Sequence, residues 1–506
     1  MSIPGLGSLP SAPTKALTET ISIPPLGSYT ILIPRYTPNA LTITLTTGTA
    51  ERDGVELARN TVYNFRGPIR TKIFSFTGCS VSVEEGGMDD DVGAATNVVF
   101  PSMEGPEKCV MSQYLNLHAL LEQERARARR ATVPGGVMGP RVLVAGPRGS
   151  GKSSLVKMLA AWSTKMGGQP ILVNLDPREG VLTLPGTLSA SAMATNMDVE
   201  TRWGITPSSG PSAIPVKLPV VWYLGREYVG GAQEGEDGGG EGLWETLVGR
   251  LARTASARLV RDEGVRGSGV VVDTQGLILP SSSVQEQQEG DGEGDGEGGM
   301  TLNALAHAVE ELSINIVVVL AGSETDSIVK RVQERFRFEK TSLGEQVRVV
   351  QVDRDPGAVV RDEAFMRCER EAGIKEYFFG DMNRTLSPFT QMVEFDGLVV
   401  WRNWEGVDEE GDSKFKQQNP PGGVAKYTRL TDPTPELSTW CLAVMCLPAT
   451  SGPEEVQHAS VKGFVYVADV DRERRRLKIL TPVSGRLGDN PLLWGRWPEP
   501  FINLLG

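Results

Sequence analysis

Apolar and polar positions alternate strictly near the start of the chain, where Leu41, Ile43 and Leu45 are interleaved with Thr42, Thr44 and Thr46. The same period returns where Phe74 and Phe76 flank Ser75, just before Gly78. Period-two alternation broken by Gly and Pro predicts short strands of a β-sandwich or small barrel from about residue 20 to 100. Residues 1–105 are read as an N-terminal β domain. The pattern then becomes helical from Gln113 to Arg130, with Leu115, Ala119, Leu120 and Leu121 apolar. Its basic end, Arg125, Arg127, Arg129 and Arg130, suits a helix C-terminus, and residues 106–139 are read as a linker helix. From Arg141 to about Phe379 apolar runs alternate with helical stretches, the mark of a parallel sheet covered on both faces. The predicted strands are Val142–Ala145, Ile171–Leu175, Val220–Leu224, Val270–Asp273, Ile314–Leu320 and Val347–Val352. Residues 140–382 thus form an α/β domain. Beyond Asp381 the strands turn antiparallel in style, as in Gly463–Ala468 and Leu477–Leu480, so residues 383–506 are expected to form a small C-terminal mixed α/β domain.

Composition changes this picture only locally. The formal net charge is −12 and the pI about 5.1, which argues against a protein that coats nucleic acid by charge alone. Part of the acidity lies in Glu234-Gly235-Glu236-Asp237 and in the Gly/Asp/Glu run from Gly290 to Glu297. These are read as disordered insertions near 231–242 and 282–300, because such composition buries too little surface to fold. Glu405 to Gly423 is read as an insertion loop. Five scattered cysteines and three histidines support neither a zinc site nor a disulfide framework. No apolar run is long enough to cross a bilayer, and Met1-Ser2-Ile3-Pro4 opens no secretory signal, so the cytosol or nucleus is expected.

Candidate chemistry concentrates in Gly146-Pro147-Arg148-Gly149-Ser150-Gly151-Lys152-Ser153, a full G-x-x-x-x-G-K-[ST] phosphate loop between a predicted strand and a helix from Lys152 to Met166. Gly146, Gly149, Ser150 and Gly151 would cradle phosphates with backbone N–H groups, Ser154 following in the first helical turn. Lys152 would meet the β and γ phosphates and Ser153 would ligate Mg²⁺. Asp176, ending the next strand, would order a metal-bound water or accept a proton, or else cap the turn before Pro177. Asp273 is a second metal-side carboxylate of the Walker B type or a turn residue. The arginines Arg472, Arg474, Arg475 and Arg476 flank a hairpin turn and are read first as solvated, with RNA or an acidic partner as the other reading. His118, His307 and His458 have no nucleophile nearby in sequence and are taken as structural.

The order of the domains, together with Tyr114-Leu115-Asn116-Leu117-His118, Asn174-Leu175-Asp176-Pro177, Leu184-Pro185-Gly186-Thr187, Ser323-Glu324-Thr325-Asp326, Lys375-Glu376-Tyr377-Phe378-Phe379-Gly380 and Pro482-Val483-Ser484-Gly485-Arg486-Leu487, resembles one family. That family is the ATP-binding subunit of pre-mRNA cleavage factor IA, related to polynucleotide 5′-hydroxyl kinases. The resemblance implies a nuclear subunit that binds Mg-ATP between its N-terminal and central domains. It also implies contact, on the central domain, with the subunit that carries the polymerase-tail-binding domain. Animal members phosphorylate RNA 5′-hydroxyl ends, and fungal members resemble ATP-bound scaffolds. Active members carry Thr-Cys-Gly-Trp, whose Trp clasps RNA, where this chain has Thr274-Gln275-Gly276-Leu277. A lid arginine of active members aligns with Glu324, while Arg331 is a further candidate for ATP contact. The resemblance also makes Arg70 the nearest equivalent of a basic residue on the nucleotide, its acidic companion being replaced in the stretch Ser28, Tyr29, Thr30. The expectation is a scaffold with structural ATP. The rivals are an active 5′-hydroxyl kinase with Asp176 as base, and a nucleotide switch, for which the guanine motif Asn-Lys-x-Asp is not found.

Overall fold

The structure is a computed structural model. It describes residues 17–33, 41–85, 98–100, 109–131, 136–195, 197–201, 219–229, 239–278, 299–322, 326–381, 385–403, 427–484, 487–500 and 504. Both acidic Gly-rich runs, the stretch from Glu405 to Gly423, and Glu324 lie outside the described residues. The chain forms two compact units: residues 1–109 with 198–204, and the remainder.

The first unit contains β1 (Leu17–Ile23), β2 (Gly27–Ile33), β3 (Leu41–Gly48), β4 (Glu51–Arg52), β5 (Val55–Glu56), β6 (Val62–Phe65), β7 (Ile69–Ser75), β8 (Cys79–Glu85) and β9 (Val98–Phe100). They build two sheets, ordered β1-β8-β3-β6 and β5-β4-β7-β2-β9. Alternate residues of β2 and β3 are buried, and Ile31, Ile43, Phe65, Ile73 and Val81 meet in one core. The threonines that break the apolar run are the outward half of this pattern. Val199 returns to that core, and the buried Arg52 guanidinium donates to the carbonyls of Val199 and Thr201.

The second unit begins with α1 (Val110–Arg130) and β10 (Arg141–Ala145), followed by α2 (Lys152–Lys165), β11 (Ile171–Asn174), β12 (Thr187–Ala192) and β13 (Val220–Tyr223). Then come α3 (Gly239–Arg261), α4 (Glu263–Ser268), β14 (Val270–Asp273), α5 (Leu302–Glu311), β15 (Ile316–Ala321), α6 (Asp326–Phe336), β16 (Arg348–Asp353) and α7 (Glu363–Phe379). The sheet order is β13-β12-β11-β14-β10-β15-β16. Strands β11, β14, β10, β15 and β16 run parallel. Every residue of β10 is buried, as expected of a central strand covered on both faces. On one face Leu143 and Ala145 pack with Trp244, Leu247 and Leu251 of α3 and Leu305 and Val309 of α5. The all-parallel expectation is corrected at one strand: β12 is antiparallel to both β11 and β13. Its sequence, Thr-Leu-Ser-Ala-Ser-Ala, lacks the β-branched and aromatic run that announces a strand.

The chain continues through β17 (Phe389–Glu394), β18 (Val400–Arg402), β19 (Thr428–Arg429), β20 (Cys441–Met445), α8 (Pro453–Gln457), β21 (Val461–Asp471), β22 (Arg476–Thr481) and β23 (Leu492–Trp494). These strands form a second seven-stranded sheet, β17-β22-β21-β20-β23-β18-β19. Its pairings are antiparallel except for β18 with β23. One face packs on α7, whose Ile374, Tyr377 and Phe378 join Cys441, Phe464, Tyr466 and Leu480 in one core. Burying each such aromatic is worth roughly 1.5–3 kcal/mol. The last helix of the α/β region is therefore also the cover of the C-terminal sheet.

Candidate nucleotide-binding site

Three neighbouring strands, β11, β14 and β10, end at one sheet edge and deliver Asp176, Asp273 and the loop after Ala145. Ligands of open α/β sheets gather at such carboxyl edges. Gly146, Gly149 and Gly151 have φ of 151°, 69° and 90°, conformations that side-chain-bearing residues rarely adopt. Space forbids a side chain as well: a Cβ on Gly149 would lie 2.7 Å from the Val360 backbone nitrogen. Gly151 caps α2 without a side-chain hydrogen bond, so the helix start offers open N–H groups. The Ser150 hydroxyl is wholly buried and has no hydrogen-bond partner among the described residues.

Lys152 opens α2, is 7% exposed, and donates from Nζ to the Pro147 carbonyl at 3.0 Å. Burial lowers its pKa, while Asp273, Asp176 and Glu179 pull the other way. Asp176 is pushed up to about 7 by burial and then by Glu179 and Asp273. Its Oδ1 accepts from the Arg178 backbone N–H at 2.9 Å, so the turn-cap reading holds for this oxygen without excluding chemistry at the other. Burial raises Asp273 to about 6, opposed by a hydrogen bond from Ser153. Asp273 Oδ1 also accepts from the Thr274 N–H at 3.0 Å, and the Thr274 hydroxyl donates to the Val144 carbonyl at 2.8 Å. Lys152, Ser153, Asp176 and Asp273 are thus brought together. Ser154 is exposed on the first turn of α2. Arg70 stands in β7 of the first unit, and Arg331 is half-buried in α6.

Several neighbours of this site carry no motif. Glu179 accepts from Arg361 at 2.6 Å, and Arg361 also pairs with Glu369 at 2.7 Å. Arg178 pairs with Glu227 at 2.9 Å and with Glu363. Gln275 accepts from the Val229 N–H at 3.1 Å and donates to the Glu227 carbonyl at 3.0 Å. The available signal was topological: loops after β11, β14 and β16 leave the same sheet edge as the phosphate loop. Leu277 is 6% exposed within the core, and its N–H donates to the Gly146 carbonyl at 3.0 Å.

The histidines and the other arginines make contacts of their own. His118 is buried beside Trp162 at 5.4 Å, with its pKa lowered to about 4 by burial and then by Arg125. His307 bonds the Glu245 carbonyl, and His458 ends α8. Arg125 is buried against Glu122 and the Ser268 carbonyl. In the hairpin, Arg475 pairs with Asp396 and Asp432, and Arg476 with Glu394. Among the described residues, no three His, Cys, Asp or Glu side chains are arranged to hold a metal ion, and no helix is long and apolar enough to cross a membrane.

Comparison with known proteins places this geometry. The chain is 44% identical to the mRNA cleavage and polyadenylation factor CLP1 of Pyricularia oryzae, over the whole of both chains. The chain belongs to the Clp1 family of mRNA cleavage and polyadenylation factors. It is 40% identical to the Chaetomium globosum member, again over the whole of both. The N-terminal β-sandwich domain of polyadenylation factor matches residues 25–128, the Clp1 P-loop 146–285, and pre-mRNA cleavage complex II protein Clp1 386–499. The Clp1p chain solved in complex with Pcf11p is 24% identical, with a TM-score of 0.73 over 95% of this chain and 98% of that one. That likeness shows the fold, an N-terminal sandwich followed by a Clp1-type P-loop region and C-terminal domain.

Proposed function

We propose that this chain is an ATP-binding scaffold subunit of the nuclear pre-mRNA 3′-end cleavage and polyadenylation machinery, in which the nucleotide serves structure instead of turnover. The observation that carries this reading is Leu277. An RNA clasp needs an exposed aromatic face for stacking, whereas this side chain is packed in the core below the phosphate loop. The names of the relatives support the machinery. Clp1p has been solved with Pcf11p, with ATP loss described for a point mutant, and a Pcf11p-like subunit is the partner proposed here.

The loop residues fit a triphosphate: left-handed glycines, an unpartnered buried hydroxyl on Ser150, and a buried ammonium on Lys152. Lys152 would exchange its bond to Pro147 for phosphate oxygens. Ser153, Asp176 and Asp273 fit Mg²⁺, since two carboxylates kept above their usual range gain most from a cation. When bound, Mg²⁺ would neutralise phosphate charge, and Asp176 and Asp273 would hold it from the protein side. Ser150, Gly151 and the α2 N-terminus would orient the phosphates and exclude water from one side of them.

A second reading, an RNA 5′-hydroxyl kinase, is favoured by one feature: a carboxylate raised to about 7 suits a general base. In that reading the Asp176 carboxylate accepts the proton of the attacking hydroxyl. Incubation of the purified chain with labelled ATP and 5′-hydroxyl RNA separates the two. No transfer, with intact ATP retained by the isolated protein, is expected; robust transfer abolished by Lys152→Ala overturns the scaffold reading.

A further inference from the structure

The loop between β16 and α7 lies directly over the phosphate loop. The backbone of Val360 is the neighbour that a Cβ on Gly149 would strike, and a Cβ on Gly151 would touch the Ala358 side chain at 3.4 Å. The next residue, Arg361, is carried to the edge of the site, three-quarters buried. One arm of its guanidinium meets Glu179 Oε1 at 2.6 Å and the other meets Glu369 Oε2 at 2.7 Å. Glu179 belongs to the same rigid turn as Asp176: the Asn174 side-chain amide donates to the carbonyls of Asp176 and Glu179 at 3.1 and 2.9 Å. Asn174 Oδ1 accepts from the Asp176 N–H at 3.1 Å. The second Glu179 oxygen, Oε2, is buried and has no hydrogen-bond partner among the described residues. Its carboxylate acts on Asp176, Asp273 and Lys152 alike, so it stands within electrostatic reach of all three.

We infer that Arg361 is a positioning residue of the nucleotide site, whose ion pair with Glu179 keeps that carboxylate from repelling a metal-bound triphosphate. The inference rests on the ATP reading proposed above. A triphosphate brings several negative charges into a site that already holds Asp176, Asp273 and Glu179. Mg²⁺ and Lys152 offset only part of the total. A third carboxylate left without its cation in a partly dry setting opposes phosphate at short range. Arg361 is suited to this role because its planar fork bridges Glu179 to Glu369, which fixes the guanidinium from behind. The Glu369 pair would remain if Glu179 were neutralised.

The test is ATP affinity of the full chain with Mg²⁺, by calorimetry, for R361Q, E179Q, the double variant and R361K, with the melting temperature and circular dichroism of each recorded. Arg361→Gln is expected to weaken ATP roughly tenfold or more, by leaving Glu179 uncompensated. Arg361→Lys, which keeps the charge without the fork, should restore part of the affinity. Glu179→Gln should bind ATP as well as the parent or better, and adding it to R361Q should return affinity to within about threefold of the parent, a coupling that a mere packing role would not produce. Weakening by E179Q equal to that of R361Q, or no rescue in the double variant, overturns the inference; E179Q alone decides if R361Q does not fold. Failure of the parent chain to bind ATP would instead remove the ATP reading itself.

Discussion

Asp176 and Asp273 are carboxylates whose burial opposes their charge. Each is at most 9% exposed, and each has a pKa raised first by burial. A carboxylate whose folded-state pKa exceeds its unfolded value contributes stability that is complete below about pH 4 and is lost as pH rises through the folded value. For these two groups that loss falls between roughly pH 4 and 7, given folded values of about 6 and about 7. Asp176→Asn keeps an oxygen acceptor for the Arg178 N–H but never ionises. It is therefore expected to stabilise the nucleotide-free protein at pH 8 by on the order of a few kcal/mol, read as a higher melting temperature, and to lose most of that advantage by about pH 4. Melting curves at the two pH values, without Mg²⁺, check this; equal melting temperatures at pH 8 would mean that the carboxylate is not paying a burial cost. At this scale the sequence was most legible where spacing is fixed by chemistry. Lys152 and Ser153 follow from the phosphate loop, whereas Glu179 and Arg361 stand 182 positions apart and share no motif. Only folding makes them neighbours.

Among the elements, strands with β-branched runs announce themselves: Val270-Val271-Val272 and Ile316-Val317-Val318-Val319 need no tertiary context to read as buried strands. β12 does need it. Its small residues become a strand because β11 on one side and β13 on the other supply backbone partners, and because Gly186, at φ 83°, turns the chain where any Cβ would strike the Trp497 carbonyl at 2.4 Å. α7 is a different case, for its helical pattern was legible but its double duty was not. Tyr377 is 1% exposed, and its hydroxyl accepts from the Phe464 N–H at 2.9 Å. Tyr377→Phe leaves that N–H buried without a partner and is expected to cost about 1–3 kcal/mol. A lower urea midpoint with unchanged ATP affinity is the predicted outcome; lost affinity at unchanged stability would mean that α7 serves the nucleotide more directly than its packing suggests. Tyr223 makes a second joint, donating to the Trp497 carbonyl at 2.9 Å and accepting from the Gly495 N–H at 3.1 Å. Tyr223→Phe should likewise cost about 1–3 kcal/mol of stability and so lower the urea midpoint.

Across the second unit, these joints and a chain of charges tie the phosphate loop to the C-terminal sheet. Arg148 of the loop approaches Glu363 at 4.0 Å, Glu363 also takes Arg178 and Arg370, and Arg370 reaches Glu499 at 2.6 Å while stacking on Trp497 at 4.4 Å. Exposed pairs in such a chain add little singly, but the buried arginines fix its geometry. Ligand bound to the folded state alone stabilises it by mass action, about 4 kcal/mol at a thousandfold excess over the dissociation constant. If ATP is structural, that linkage should appear in the melting of the whole α/β and C-terminal unit, because α7 shares the core of the C-terminal sheet with Leu184 and Tyr223 of the α/β region. Mg-ATP is therefore expected to raise the melting temperature of the parent chain by several degrees and to leave Lys152→Ala unmoved at the same concentration. Following the melt by a probe in the C-terminal sheet, such as the emission of the buried Trp494, asks whether stabilisation reaches that far from the loop. A C-terminal transition that ignores Mg-ATP while the α/β region responds would confine the nucleotide to a local role. A shift shared by both would make ATP part of what holds this unit together, which is what a scaffold requires of it.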